Sequence, residues 1–180
     1  MPSGNTHAAL TALAAGGIYL GMTVYGYTNM TVYAATLGCM AGVLITPDLD
    51  VDQPTRSNYV MYREAGLLPG AIWRALWLPY GLAIGHRSWV SHFPVISTLI
   101  RLAYLGVIAW FIWFSWSFRM SVTSYANPPA MVFIPPLPAW WPWAVAGLMV
   151  SDVLHWAADV SSTAVKRWLH KKHRREIKRD

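Results

Sequence analysis

Two histidines, His86 and His92, flank an arginine and two serines in the stretch HRSWVSH. Other imidazoles and carboxylates stand far from it in the chain. They are His7, Asp48 and Asp50 in TPDLD, and His155 and Asp159 in HWAAD. Imidazole nitrogen with carboxylate oxygen is a donor set for zinc, manganese or iron. Two such cations about 3.5–4 Å apart clamp a phosphate oxygen and activate water near neutral pH. The ligand candidates are therefore His7, Asp48, Asp50, His86, His92, His155 and Asp159. They suffice for two divalent metal ions, zinc first, with manganese or iron as alternatives. The count alone does not support a third.

Spacing supports a shared site. Asp152, His155 and Asp159 stand at i, i+3 and i+7, so one helical stripe presents all three. In an extended turn, Asp48 and Asp50 would alternate around Leu49 and face one side. Asp152 is the candidate to orient a ligand histidine or to act as general base. Arg87 is the candidate to grip phosphate oxygens in bidentate fashion, or else to anchor at lipid headgroups. Ser88 and Ser91 read as caps or hydrogen-bond donors. Plainer roles stand beside these. His7 alone is commonly a surface residue, and PDLD can simply end a helix. His86 and His92 can lie in a headgroup-level loop, and Asp152 can pair with a base. His170 and His173, in the basic tail, read as solvated.

Four apolar segments must position these groups, at about residues 8–25, 30–46, 93–118 and 140–161. A bilayer core needs about 20 apolar residues per crossing. The chain is 55% hydrophobic and 12% charged, with 11 Trp and 9 Tyr. Soluble domains carry about 25% charge, so a soluble bundle is the weaker reading. The expected fold is all-α: a polytopic membrane helical bundle of about four transmembrane helices. A helical, amphipathic excursion is expected between the second and third, because Pro69, Pro79 and Arg74 interrupt LPGAIWRALWLPYGLAIG. Residues 1–165 read as the membrane-embedded metal-binding domain and 166–180 as a basic cytoplasmic tail.

Eight of the 14 Lys and Arg lie between Lys166 and Arg179. With Arg56, Arg63, Arg74 and Arg87 they fall on one face of the bundle, and Arg101 is expected to snorkel there. Basic loops stay cytoplasmic, so both termini are expected inside. In an up-down-up-down bundle, all seven ligand candidates converge on that same face. Anionic lipid is the expected partner of the basic tail, with protein partners in the membrane a further expectation. Nucleic acid is not expected, because no binding motif is present. The single cysteine, Cys39, cannot form an internal disulfide. No signal peptide is expected, because no Lys or Arg precedes the first apolar run.

His7, TPDLD at Thr46–Asp50, GHRSWVSH at Gly85–His92 and HWAAD at His155–Asp159 resemble the YdjM-like family of inner-membrane, metal-dependent hydrolases. The opening PSGNTH and SDVLH at Ser151–His155 look closer to a sister family, bacterial and archaeal membrane proteins described as metal-binding. The motif order is more distantly similar to zinc-dependent phospholipase C. YdjM-like proteins commonly have threonine where this chain has Ser91, which keeps the hydroxyl. The resemblance implies a His/Asp metal centre in a helical bundle, a phosphoester substrate and a bacterial or archaeal cytoplasmic membrane.

Three functions follow as expectations. The first is an integral membrane metal-dependent hydrolase cleaving a phosphoester, with lipid as one substrate class, at the cytoplasmic face. The alternative is a non-catalytic metal-binding subunit or assembly factor of a larger complex. A structural zinc needs only four closed ligands, so a surplus of candidates favours catalysis. Metal-free attack by histidine ranks last, because carboxylates repel phosphate unless a cation covers them.

Overall fold

The computed structural model describes residues 4–50, 55–84, 93–123 and 137–177. For residues 47, 50, 120–123 and 172–177 only the backbone is described. His86, Arg87, Ser88, Ser91, His92 and Asp52 lie outside the described residues.

Helix α1 spans Gly4–Val24, and α2 spans Asn29–Ala41. Gly26, at φ +76°, makes the turn between them, a backbone region that costs glycine little. A 3-10 turn, Pro47–Asp50, follows α2. Then come the short helix α3, Arg56–Val60, a π turn, Met61–Ala65, and α4, Leu67–Ala83. The long helices α5, Pro94–Thr123, and α6, Trp141–Ile177, complete the order. No strand occurs among the described residues, as the all-α expectation requires.

Helix α2 lies closest to α6, and small residues explain how. A Cβ on Gly38 would stand 2.0 Å from the Ala144 carbonyl oxygen. One on Gly147 would stand 1.9 Å from the Ala35 oxygen, and one on Gly42 would strike the Ser151 side chain at 2.1 Å. Gly38 and Gly42 are thus an i, i+4 small pair facing Ala144 and Ser151, with Gly147 set against Ala35 and Cys39, the pattern that lets helix backbones touch. Gly147→Leu should therefore force α2 off α6. Overpacking alone costs about 1–3 kcal/mol, and here backbone rather than a side chain must yield. Thermal unfolding in detergent, with Leu13→Ala as an exposed control, checks this.

The other half of the molecule gathers around Leu49, Trp77 and Tyr80, all buried. Ile45, Trp73, Ile100 and Tyr104 pack on that cluster. The Tyr104 hydroxyl donates to the Leu76 carbonyl and joins α5 to α4.

Among the described residues, two helices are long and apolar enough to cross a membrane: Gly4–Val24 and Pro94–Arg119. Only 11% and 17% of their apolar windows are buried, so their surfaces face outward. The other two expected spans are not among them, for different reasons. Helix α2 has 13 residues, about 20 Å, and ends in turn residues from Gly42. Helix α6 is long enough, but Ser151, Asp152, His155 and Asp159 dilute its apolar stretch. Of the expected excursion, residues 67–83 are helical, with Gly70, Trp77 and Tyr80 buried and Leu67, Leu68, Ile72 and Leu82 exposed. The basic run set apart in the sequence continues α6 as helix to Ile177.

Candidate metal centre

His7 lies in the first turns of α1. His155 and Asp159 stand one turn apart on α6. Asp48 lies in the turn after α2, held where the Leu49 amide donates to the Thr46 carbonyl at 3.2 Å. PDLD is therefore a 3-10 turn, where the sequence reading expects an extended one. Pro47 both breaks the preceding chain and begins the turn.

These elements bring the four side chains together. The His7 and His155 rings stack with centroids 3.9 Å apart and planes 18° from parallel. His7 Nε2 is 3.3 Å from Asp159 Oδ1. His155 Nε2 is 3.4 Å from Asp48 Oδ1 and 3.5 Å from Asp159 Oδ2. Ligand atoms of His7, His155 and Asp159 all fall within 4.8 Å of one another. The His7, His155 and Asp159 side chains are 11%, 8% and 12% exposed, and Asp48 is 36% exposed. Asp48 thus marks the open side.

The separations are long for hydrogen bonds, whose N···O distance is about 2.7–3.2 Å. They match another object. Ligands about 2.0–2.1 Å from a tetrahedral cation lie about 3.3–3.4 Å apart. Moreover, His7 Nδ1, His155 Nε2 and Asp159 Oδ2 are buried with no hydrogen-bond partner among the described residues. Buried polar atoms are rarely left so. The donor set and its spacing fit a divalent cation. A cavity of about 30 Å³ adjoins the cluster, lined by His7, Thr11, Thr46, Asp48, Arg56 and His155 among others.

The register of this cluster is held from one turn away. Thr11 Oγ1 and Ser151 Oγ share a hydrogen bond of 3.1 Å, locking α1 to α6. On α5, Arg101 is fully buried rather than snorkelling to a membrane face. Its guanidinium donates to Asp152 Oδ2 and to the Ile45 carbonyl, and its Nε donates to the Ser97 carbonyl at 3.2 Å. The Thr98 hydroxyl also donates to Asp152. The reason for the burial is local: only inside the bundle does the guanidinium meet a carboxylate and two carbonyls. Arg101 so joins the chain three residues before Asp48 to the helix three residues before His155.

Of the expected site residues, the structure brings together His7, Asp48, His155 and Asp159. Asp152 is one turn before His155, and among the described residues its hydrogen-bond partners are Thr98 and Arg101. The Asp50 side chain, His86, His92 and Arg87 lie outside what is described, and with them the means to count a second ion. Sequence reasoning missed Arg56 at the cavity. TRSN does read as a capped helix start, since the Thr55 side chain accepts from the Asn58 amide at 3.4 Å. Nothing local says that this start returns to the first turn of α1.

A family model described as "Uncharacterized metal-binding protein (DUF2227)" matches residues 2–169. No curated protein and no solved structure matches the chain. The match agrees with the sister-family resemblance and does not extend to the YdjM-like hydrolases or to phospholipase C. With nearly its whole length covered and a buried His/Asp cluster in the helical fold, the chain belongs to this family of metal-binding proteins.

Proposed function

We propose that the chain is an integral membrane hydrolase that uses a His/Asp metal centre to cleave a phosphoester at the cytoplasmic face. One observation carries the reading: unpartnered buried ligand atoms from two helices, beside a loop carboxylate, stand at cation-ligand spacing around a cavity. Membrane insertion is supported by the outward apolar surface. Trp110, Phe111, Ile112, Trp113, Phe114, Trp116 and Phe118 on α5 are all exposed, far beyond what a soluble monomer commonly leaves in one patch. The cationic end of α6 is suited to anionic lipid at a cytoplasmic leaflet.

His7, His155 and Asp159 would hold the ion, and Asp48 would close the open side. The separations favour zinc over cations that prefer octahedral oxygen sites. A divalent ion bound there supplies Lewis acidity and lowers the pKa of water. The protein's own part is to hold the two imidazoles stacked and oriented. The Thr11–Ser151 bond fixes one helix pair, and the Arg101–Asp152 pair fixes the other. Asp152 acts through position, holding α6 so that His155 meets Asp48. Arg87 remains the proposed partner of phosphate oxygens from the HRSWVSH stretch. His86, His92 and Asp50 would supply a second ion if the centre holds two.

A closed structural site in a larger complex is the competing reading, favoured by the small size of the cavity. The test uses full-length protein purified in detergent and loaded with zinc. It is assayed on a phosphomonoester, a phosphodiester and a phospholipid. Hydrolysis should appear, disappear with dipicolinate and return with zinc. Stoichiometric zinc with no turnover on any of the three, and no ligand position open to exogenous azide, would establish the structural role instead.

A further inference from the structure

We infer that Arg56 is a second arginine, beside Arg87, that binds phosphate oxygens of the ligand at the metal centre, an inference that rests on the metal reading above. Arg56 lines the cavity together with His7, Asp48 and His155. It is exposed, whereas His155 in the same lining is buried, so the arginine stands toward solvent and the ligands inward. Among the described residues it makes no ion pair. A divalent ion there would neutralise the Asp48 and Asp159 carboxylates, and among the described side chains Arg56 then leaves one positive charge in excess. An oxyanion satisfies that excess, and a guanidinium offers it paired donors in a planar fork.

The fold places this side chain deliberately. Ser57 Oγ donates to the Leu44 carbonyl at 2.7 Å, and Trp73 Nε1 donates to Ser57 Oγ at 2.9 Å. Those bonds hold the start of α3 against the turn after α2 and against α4. On the other side, the Arg56 stem lies on Gly4. A Cβ there would meet Arg56 Cβ at 3.0 Å and Cδ at 3.1 Å. The first turn of α1 therefore offers a bare backbone surface along which the arginine lies, three residues from His7.

The test measures inorganic phosphate binding to the full-length, Co²⁺-loaded protein through its visible d–d spectrum. Arg56→Gln should load cobalt as the wild type does and bind phosphate about ten-fold more weakly or worse, the value of one charge-assisted contact. Arg56→Lys should recover part of the loss. Glycerol phosphate and micellar phosphatidic acid, run as competitors, identify a free or a lipid-borne phosphate. Both should weaken with Arg56→Gln. Unchanged phosphate affinity in an Arg56→Gln protein with full cobalt overturns the inference and leaves the metal reading intact. Wild-type protein that takes up no cobalt overturns both. If Arg56→Gln fails to fold, Arg56→Met decides: weaker phosphate binding with full cobalt supports the role, and unchanged affinity rejects it.

Discussion

Replacing Arg101 by methionine, alone, should destabilise the protein by about 3–5 kcal/mol, the usual cost of leaving one partner of a buried ion pair behind. Neither side chain of the Arg101–Asp152 pair has exposed surface. Without the guanidinium, the Asp152 carboxylate keeps only the Thr98 hydroxyl among its partners, and the Ile45 carbonyl loses its donor. The double variant Arg101→Met with Asp152→Leu should regain most of that stability, because it removes both charges together. It should nevertheless bind metal more weakly than wild type. The pair links the segment leading to Asp48 with the helix carrying His155, and apolar packing does not reproduce that directional link. Chemical denaturation in detergent reads the first effect, and zinc competition with a chromogenic chelator reads the second. Equal stability in single and double variants would show that the buried charge is not the issue.

The second large effect belongs to the ligands. His155→Ala should weaken zinc binding about 100- to 1000-fold, since each of four ligands carries about a quarter of the 10–16 kcal/mol seen for structural zinc sites. Asp159→Ala should do the same. The fold should survive both changes better than Arg101→Met, because the cluster joins groups that are already partly unpartnered. His170→Ala, on the exposed end of α6, should leave affinity unchanged. Loss of metal from His170→Ala, or its retention in His155→Ala, would move the site elsewhere.

Much of this site is legible in the amino-acid order. His155 and Asp159 at helical spacing inside an apolar stretch announce a costly pair that needs a partner. His7 and Asp48 sit at a segment start and a segment end, and alternating helices bring such ends together. What the order hides is whatever depends on how closely helices approach. Gly38, Gly42 and Gly147 read as ordinary small residues until backbone contact explains them. Arg101 reads as a snorkelling residue, because its distance from the segment end allows that, and only the packed bundle supplies Asp152 and the Ile45 carbonyl. PDLD reads as extended from its alternation, whereas Pro47 and the Thr46–Leu49 bond wind it into a 3-10 turn. Two of the four expected spans, and not the other two, are long and apolar enough among the described residues. Composition treats residues 30–46 as one run, but the chain turns after Ala41.

X-ray absorption at the metal edge of the purified full-length protein tests the central claim most directly. At least about one tightly held divalent ion per chain should be present, with two imidazoles and carboxylate oxygen in its nearest coordination sphere. A sphere of oxygen alone, or no stoichiometric ion after purification without chelator, would contradict it.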